Sequence, residues 1–198
     1  GMARQILEDE SGLRAGKDFA LAHAPERVMV GRLLKNIQEH DRIVGGIDDV
    51  STQRAIELYS PVLTKGKVIP MTARAAEVTK TSENTFRDLQ IAAINELALY
   101  CEAMGINVYD VRAGIDSLKG EGITRAILWP GAGVGGHCLT KDTYHLERGV
   151  KVTGCPVDYP EGKDSLFVLA RNINDFMPRH MYNLTVRALE RINKKPVQ

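Results

Sequence analysis

The sequence predicts a mostly α-helical protein with a partial α/β N-terminal portion: the tail of a doubly wound sheet, followed by an all-α part built on one long helix. Three observations carry this. Short apolar runs alternate with helix signals over residues 3–70, the pattern of parallel strands joined by helices. Only three such runs occur, too few for a complete doubly wound sheet. From about residue 73 the pattern turns helical and stays so.

Taken in order, a helical pattern over 3–10 ends at Ser11-Gly12, and a short apolar run follows over 19–24. A second run, Arg42-Ile43-Val44-Gly45-Gly46-Ile47, leads into Asp48-Asp49-Val50-Ser51, a helix-start signal. A helix over about 52–63 and a short strand at Lys67-Val68-Ile69-Pro70 follow. The long helix spans 73–104 and ends at Gly105. Phe86, Leu89, Ala93, Leu97, Cys101 and Met104 recur on it every three or four residues, one apolar stripe. Ile91, Ile94 and Ala98 widen that stripe beyond what a surface helix needs, which predicts burial between two layers or two subunits. Further helices are predicted at about 107–118, 140–148 (stopped by Gly149) and 164–193, the last kinked or restarted near Pro178. Residues 149–163, rich in Gly, Pro and charge, read as a loop.

Among 198 residues, 26 basic side chains face 25 acidic ones, giving a net charge of +1. No basic surface for nucleic acid follows from this balance. No apolar run approaches the roughly 20 residues that cross a bilayer. Three cysteines, Cys101, Cys138 and Cys155, without C-x-x-C spacing argue against a disulfide framework and for a reducing, cytoplasmic setting. Gly1 before Met2 reads as an expression remnant, and both ends look like cuts inside a larger protein.

The most informative stretch runs from Trp129 to Asp142. Four glycines, at 131, 133, 135 and 136, lead into His137-Cys138. Glycine admits positive φ and close approach to a ligand. Thr140 can cap the helix that follows, placing Cys138 at its N-terminal edge, where backbone N–H groups favour a thiolate. Gly131-x-Gly133-x-x-Gly136 also spells the dinucleotide fingerprint, but Trp129-Pro130 is a poor strand end, and His137-Cys138 stand between the glycines and the helix. A plain tight turn is the remaining reading.

Lys80 and Asn84 lie four apart and share a helix face. They form either a surface pair, with Glu77 bridging to Lys80, or an ammonium and an amide aimed at a developing oxyanion. Asp142, four after Cys138, either satisfies the helix dipole or orients a water. Glu26 follows an apolar run, where ligands bind in open α/β sheets; it is a candidate base or an ordinary loop acid. His137 beside Cys138 lacks partners at metal-ligand spacing, so no metal site is expected.

Together these residues resemble the nucleotide-sugar 6-dehydrogenases, the UDP-glucose, UDP-N-acetylmannosamine and GDP-mannose dehydrogenase family. The matching stretches are Pro25-Glu26-Arg27, Arg42 through Gly46, Glu77 through Phe86, Asn95-Glu96, Gly131 through Asp142 and Ala170 through Pro178. The Gly-Val-Gly-Gly-His-Cys form resembles the UDP-N-acetylhexosamine branch. The resemblance implies oxidation of a sugar C6 alcohol to a uronic acid with NAD as cofactor, in polysaccharide biosynthesis. It implies a Cys138 thiohemiacetal and thioester, with Lys80 and Asn84 steadying the oxyanion, Asp142 organising water and lysine, and Glu26 in acid–base work. Gly133, Gly135 and Gly136 would approach the UDP-sugar, and Arg125 matches an arginine reaching the partner subunit's substrate.

The resemblance further implies a Rossmann-like NAD domain whose C-terminal portion is residues 3–70, without the Gly-rich fingerprint, so the main cofactor-binding residues fall outside the chain. Residues 71–195 would be the central domain, dimerising through helix 73–104. Val30 stands where UDP-glucose enzymes carry a second acid. The expectation is therefore a homodimeric fragment, inactive alone. The competing readings are a non-catalytic helical dimerisation module and a thiol hydrolase using Cys138 with His137 or His145.

Overall fold

The computed structural model describes residues 1–29, 31–121, 127–154, 157 and 165–194. Two compact units divide the chain, residues 1–80 and 81–198.

In the first unit, α1 (Met2–Ser11) ends on Gly12 at φ 69°. Three strands follow: β1 (Ala22–His23), β2 (Arg42–Gly46) and β3 (Val68–Thr72), in spatial order β1-β2-β3. Between them lie α2 (Leu33–Glu39), then α3 (Asp49–Tyr59) with a 3-10 turn at Ser60–Val62. The central strand β2 is the buried one, with Val44 fully covered and Ile43 nearly so. It pairs parallel with β3, Ile43 opposite Ile69, as the alternation of strand and helix predicts. Its other neighbour corrects the expectation of parallel strands, because β1 is antiparallel, with Ala22 opposite Gly46. An antiparallel neighbour needs no crossover over the face of the sheet, and β1 adds only two residues to its edge.

The sequence reading places no element between residues 24 and 42, where α2 lies. Its buried residue is polar: Asn36, whose Oδ1 accepts the Met29 N–H at 2.8 Å, while Leu33 and Leu34 are exposed. The apolar period that marks a helix is missing for that reason. By contrast α3 starts where Asp48 foretells, with Asp48 Oδ1 accepting the Ser51 N–H at 2.7 Å. That bond holds the Asp48 carboxyl below its usual range.

The long helix α4 (Ala73–Ala103) follows β3 directly and stops before Gly105, at φ 69°. The second unit adds α5 (Val108–Asp116), α6 (Leu139–Thr153) and α7 (Leu166–Arg191) to it. Asn107 caps α5 by accepting the Tyr109 N–H, and Ser165 caps α7 by accepting the Phe167 N–H. Gly149 does not stop α6, contrary to expectation. The helix runs to Thr153 and ends on Gly154, which takes φ 65°, so residues 149–153 are helix and not loop. Likewise Pro178 sits inside one continuous α7.

The expected apolar stripe of α4 is also corrected. Phe86 and Met104 are more than half exposed, and Phe86 meets Phe167 edge-on with centroids 5.7 Å apart. Cys101 of the stripe and Ile94 beside it are buried as expected; with them α4 buries Thr85, Asp88, Ala92 and Asn95, and α7 buries Ala170, Arg171, Asn174 and Met177. Polar groups that pair across the helices occupy the seam.

Candidate active site

The glycine loop is tied down at its start by α5. Arg112 donates to the Leu128 carbonyl at 2.9 Å and to the Ile127 carbonyl at 2.6 Å, and its guanidinium lies 3.8 Å from the centre of the Trp129 ring. Next, the Gly131 N–H donates to Asn95 Oδ1 at 2.9 Å. Gly133, at φ 88°, lies so near α7 that a Cβ would collide with the Asn174 carbonyl oxygen and stand 3.1 Å from Pro178 Cδ. This is a close approach of the kind the glycines predict, but it is made to the protein's own helix. Around Gly135 and Gly136 a Cβ would meet nothing within 4 Å.

Gly136, at φ 94°, turns the chain into α6. Thr140 is not its cap: that hydroxyl donates to the Gly136 carbonyl at 2.8 Å from inside the helix. The residue at the cap position is Cys138, exposed, with its carbonyl accepting the Lys141 and Asp142 N–H groups at 3.1 and 3.0 Å. Asp142, one turn below, is buried at 5% exposure. Its Oδ2 accepts from Asn84 Nδ2 at 2.6 Å, and its Oδ1 lies 3.3 Å from Lys141 Nζ and 3.9 Å from His145 Nδ1. A residue 58 positions away on α4 thus pins the first turn of the helix that presents the thiol.

Of the sequence candidates, the structure brings Asn84 and Asp142 into contact, with Cys138 one turn above them. Lys80 stands one turn before Asn84 on α4 and is the last residue of the first unit. Glu26 belongs to the first unit, exposed in the loop after β1, where its carboxylate accepts the Val28 N–H. Arg125, Val30 and Cys155 lie outside the described residues. No group of His, Cys, Asp or Glu able to hold a metal occurs among the described residues, and none of their helices is long and apolar enough to cross a membrane.

One set of residues the sequence reading gave no role. Arg171 Nη1 donates to Asp88 Oδ1 at 2.5 Å, and Asn174 Nδ2 donates to the same oxygen at 2.8 Å and to the Asp88 carbonyl at 2.9 Å. Asn174 Oδ1 in turn accepts from Asn95 Nδ2 at 2.9 Å. Burial pushes the Asp88 carboxyl up, opposed by the Arg171 guanidinium and these hydrogen bonds. The signal was available in the spacing, since Asp88 and Asn95 lie two turns apart and Arg171 and Asn174 one.

The glycines present do not fit a dinucleotide pyrophosphate. No strand directly precedes Gly131, the approach at Gly133 is filled by Asn174, and at Gly46, the end of β2, a Cβ would collide with the Thr52 amide of α3.

Sequence comparison gives two matches to one family. Residues 1–63 match the NAD binding domain of the UDP-glucose/GDP-mannose dehydrogenase family, and residues 74–166 match its central domain. A UDP-N-acetyl-D-mannosamine dehydrogenase of Pyrococcus horikoshii is 42% identical over 195 residues, covering 98% of this chain and 43% of that protein. An NDP-N-acetyl-D-galactosaminuronic acid dehydrogenase of Ralstonia solanacearum is 36% identical, covering 91% and 39%. The crystal structure of an NDP-N-acetyl-D-galactosaminuronic acid dehydrogenase from Methanosarcina mazei Go1 is similar at 83% identity and TM-score 0.92, covering 98% of this chain and 41% of that one. The chain therefore spans about two fifths of the length of the relatives it matches.

Proposed function

We propose that this chain, which belongs to the UDP-glucose/GDP-mannose dehydrogenase family, carries the nucleophile of an NAD-dependent UDP-sugar 6-dehydrogenase. The sugar is a UDP-N-acetylhexosamine, of which UDP-N-acetylmannosamine is the leading case, and the product a uronic acid for cytoplasmic polysaccharide biosynthesis. The substrates named for the relatives support the class of sugar. In this reading residues 3–70 are the C-terminal portion of the NAD domain and residues 71–195 the central domain. NAD is the oxidant of the whole protein, held by residues other than the glycines described above.

The observation that carries the reading is the Asn84–Asp142 hydrogen bond of 2.6 Å at the first turn of α6. It fixes the helix whose N-terminal edge presents the exposed Cys138 thiol. At a C6 aldehyde, the sulfur adds to the carbonyl carbon, the π pair moves to oxygen, and the thiol proton ends on that oxygen. The thiohemiacetal so formed keeps the aldehyde from escaping. After oxidation to the thioester, water adds at C6, the C–S bond breaks, and the thiol and a carboxylate are released. Lys80 supplies the cation for the oxyanion. Asn84 spends one amide N–H on Asp142 and retains a second for substrate oxygen or water. Asp142 orders the water, and Glu26 takes the proton in hydrolysis. Gly135 and Gly136, with open space at their Cα atoms, are the stretch of loop that approaches sugar, and Arg125 completes the proposed substrate contacts; Gly133 faces α7 instead.

The whole protein is a homodimer through α4. An apolar groove lined by Leu89, Ala93, Leu169, Ile173 and Phe176 supplies the surface, and sedimentation of the chain as a monomer would overturn this part. The chain alone reduces no NAD⁺ with any UDP-sugar, and turnover by it would overturn that expectation. The nucleophile itself is tested by alkylation near neutral pH: Cys138 is expected to react selectively over Cys101 and Cys155. Equal, slow reaction of all three would leave α4 and α7 as a dimerisation module only.

A further inference from the structure

We infer that Asn95, Asn174 and Pro178 are positioning residues that clamp the glycine loop and so set the place of Cys138, an inference resting on Cys138 as the nucleophile. The warrant is the direction of a buried hydrogen-bond chain. Arg171, Asp88, Asn95 and Asn174 are each fully buried, a costly arrangement that apolar side chains of similar volume would match in packing. What apolar side chains cannot do is hold a backbone amide.

The chain has only one orientation. The Asp88 backbone carbonyl can only accept, so Asn174 must turn its Nδ2 toward it and toward the Asp88 Oδ1 beside it. That leaves Asn174 Oδ1 facing Asn95, which must answer with Nδ2. Asn95 Oδ1 is thereby committed outward, and the Gly131 N–H occupies it at 2.9 Å. The acceptors of Asp88 at one end of the seam thus fix the acceptor for the loop at the other.

A second hold comes from Pro178. It has no N–H, so the Asn174 carbonyl cannot make the usual bond to the residue four ahead. Gly133 lies against that same oxygen, with Pro178 Cδ beside it. Asn174 therefore meets the loop twice, by its side chain through Asn95 and by a carbonyl against which only a residue without a Cβ fits at 133. Cys138 follows five residues after Gly133.

The test uses Pro178→Ala, which supplies a helical N–H for the Asn174 carbonyl and removes the Cδ that stands beside Gly133. A proline that were merely structural would give a variant as stable or more so, with an unchanged site. The expected result is a melting temperature at or above the parent's, faster hydrogen exchange in residues 129–138, and an alkylation rate at Cys138 lower by about tenfold as the thiol leaves its place at the helix edge. Asn95→Leu, which removes the acceptor, is expected to speed exchange at the Gly131 amide by at least about tenfold. Unchanged Cys138 alkylation in Pro178→Ala, or an unprotected Gly131 amide in the parent chain, would overturn the inference. Failure of the nucleophile reading looks different: the three cysteines of the parent would react alike while Gly131 stayed protected.

Discussion

The two units of this chain differ in the largest side chains they bury completely: Val44 in the first, Arg171, Asn95 and Asn174 beside Ile94 in the second. The first covers Ile43 and Val44 of a central strand, lets α3 pack on Gly46, and brings the end of β3 and the start of α4 against Gly45. The second places Asp88, Asn95, Arg171 and Asn174 where α4 and α7 meet. An apolar core is non-directional and holds elements by area alone. A buried polar seam is directional, and its last acceptor points at the loop that carries Cys138. Shape suffices for the sheet, whereas a nucleophile needs its loop placed within tenths of an ångström.

The sharpest way to break this contrast is Arg171→Ala. It strands the Asp88 carboxylate in the second unit and should cost about 3–5 kcal/mol, read by urea unfolding. The double variant Asp88→Leu with Arg171→Met should recover much of that loss, because an apolar pair of similar volume replaces the ions. If stability returns while Cys138 stays slow toward alkylation, the seam serves placement and not stability.

Next in size, Asn84→Ala removes the donor to the buried Asp142 carboxylate and should cost about 1.5–3 kcal/mol. Its mark is a fraying first turn of α6, seen as faster amide exchange at Lys141 and Asp142. In the first unit, Val44→Ala deletes two methyl groups from a fully covered site and should cost about 2 kcal/mol. Thermal melting reads that loss, and alkylation of Cys138 should be unmoved, since only the apolar core is touched.

The smallest effect concerns pH. The Asp48 carboxyl is held below its ordinary value by the Ser51 N–H. A depressed folded value means stability that is present above the unfolded value and lost as pH falls through the folded one. Asp48→Asn keeps the cap acceptor and removes the titration, so the acid loss of first-unit stability below about pH 4 should flatten. A steeper acid loss in the variant would contradict this account.

Much of this was readable beforehand. Asp48 marked the start of α3, Gly105 the end of α4, and the run from Arg42 the buried strand, because caps and local apolar runs act over a few residues. Cys138, Asp142 and Asn84 stood out as chemical types at helical spacings. The misreadings share a cause. Gly149 looked like a stop, yet a helix interior tolerates glycine at roughly 1 kcal/mol, and only Gly154 takes positive φ. Phe86 and Met104 looked like core because apolar spacing shows one face of α4 without showing which face meets α7. Asn36 hid α2, since its burial is repaid by hydrogen bonds that no hydrophobic period reveals.

By itself, then, the sequence determined the helices other than α2, the central strand, the glycine loop and the residue types of the site, all matters of short-range propensity and spacing. Only the tertiary structure decided that Asn84 meets Asp142 across 58 residues, that Gly133 makes room for a helix carbonyl, and that Asn95 holds the loop. Those are pairings between distant polar groups. Each side chain could satisfy itself in water equally well, and only burial in one fixed seam selects a partner.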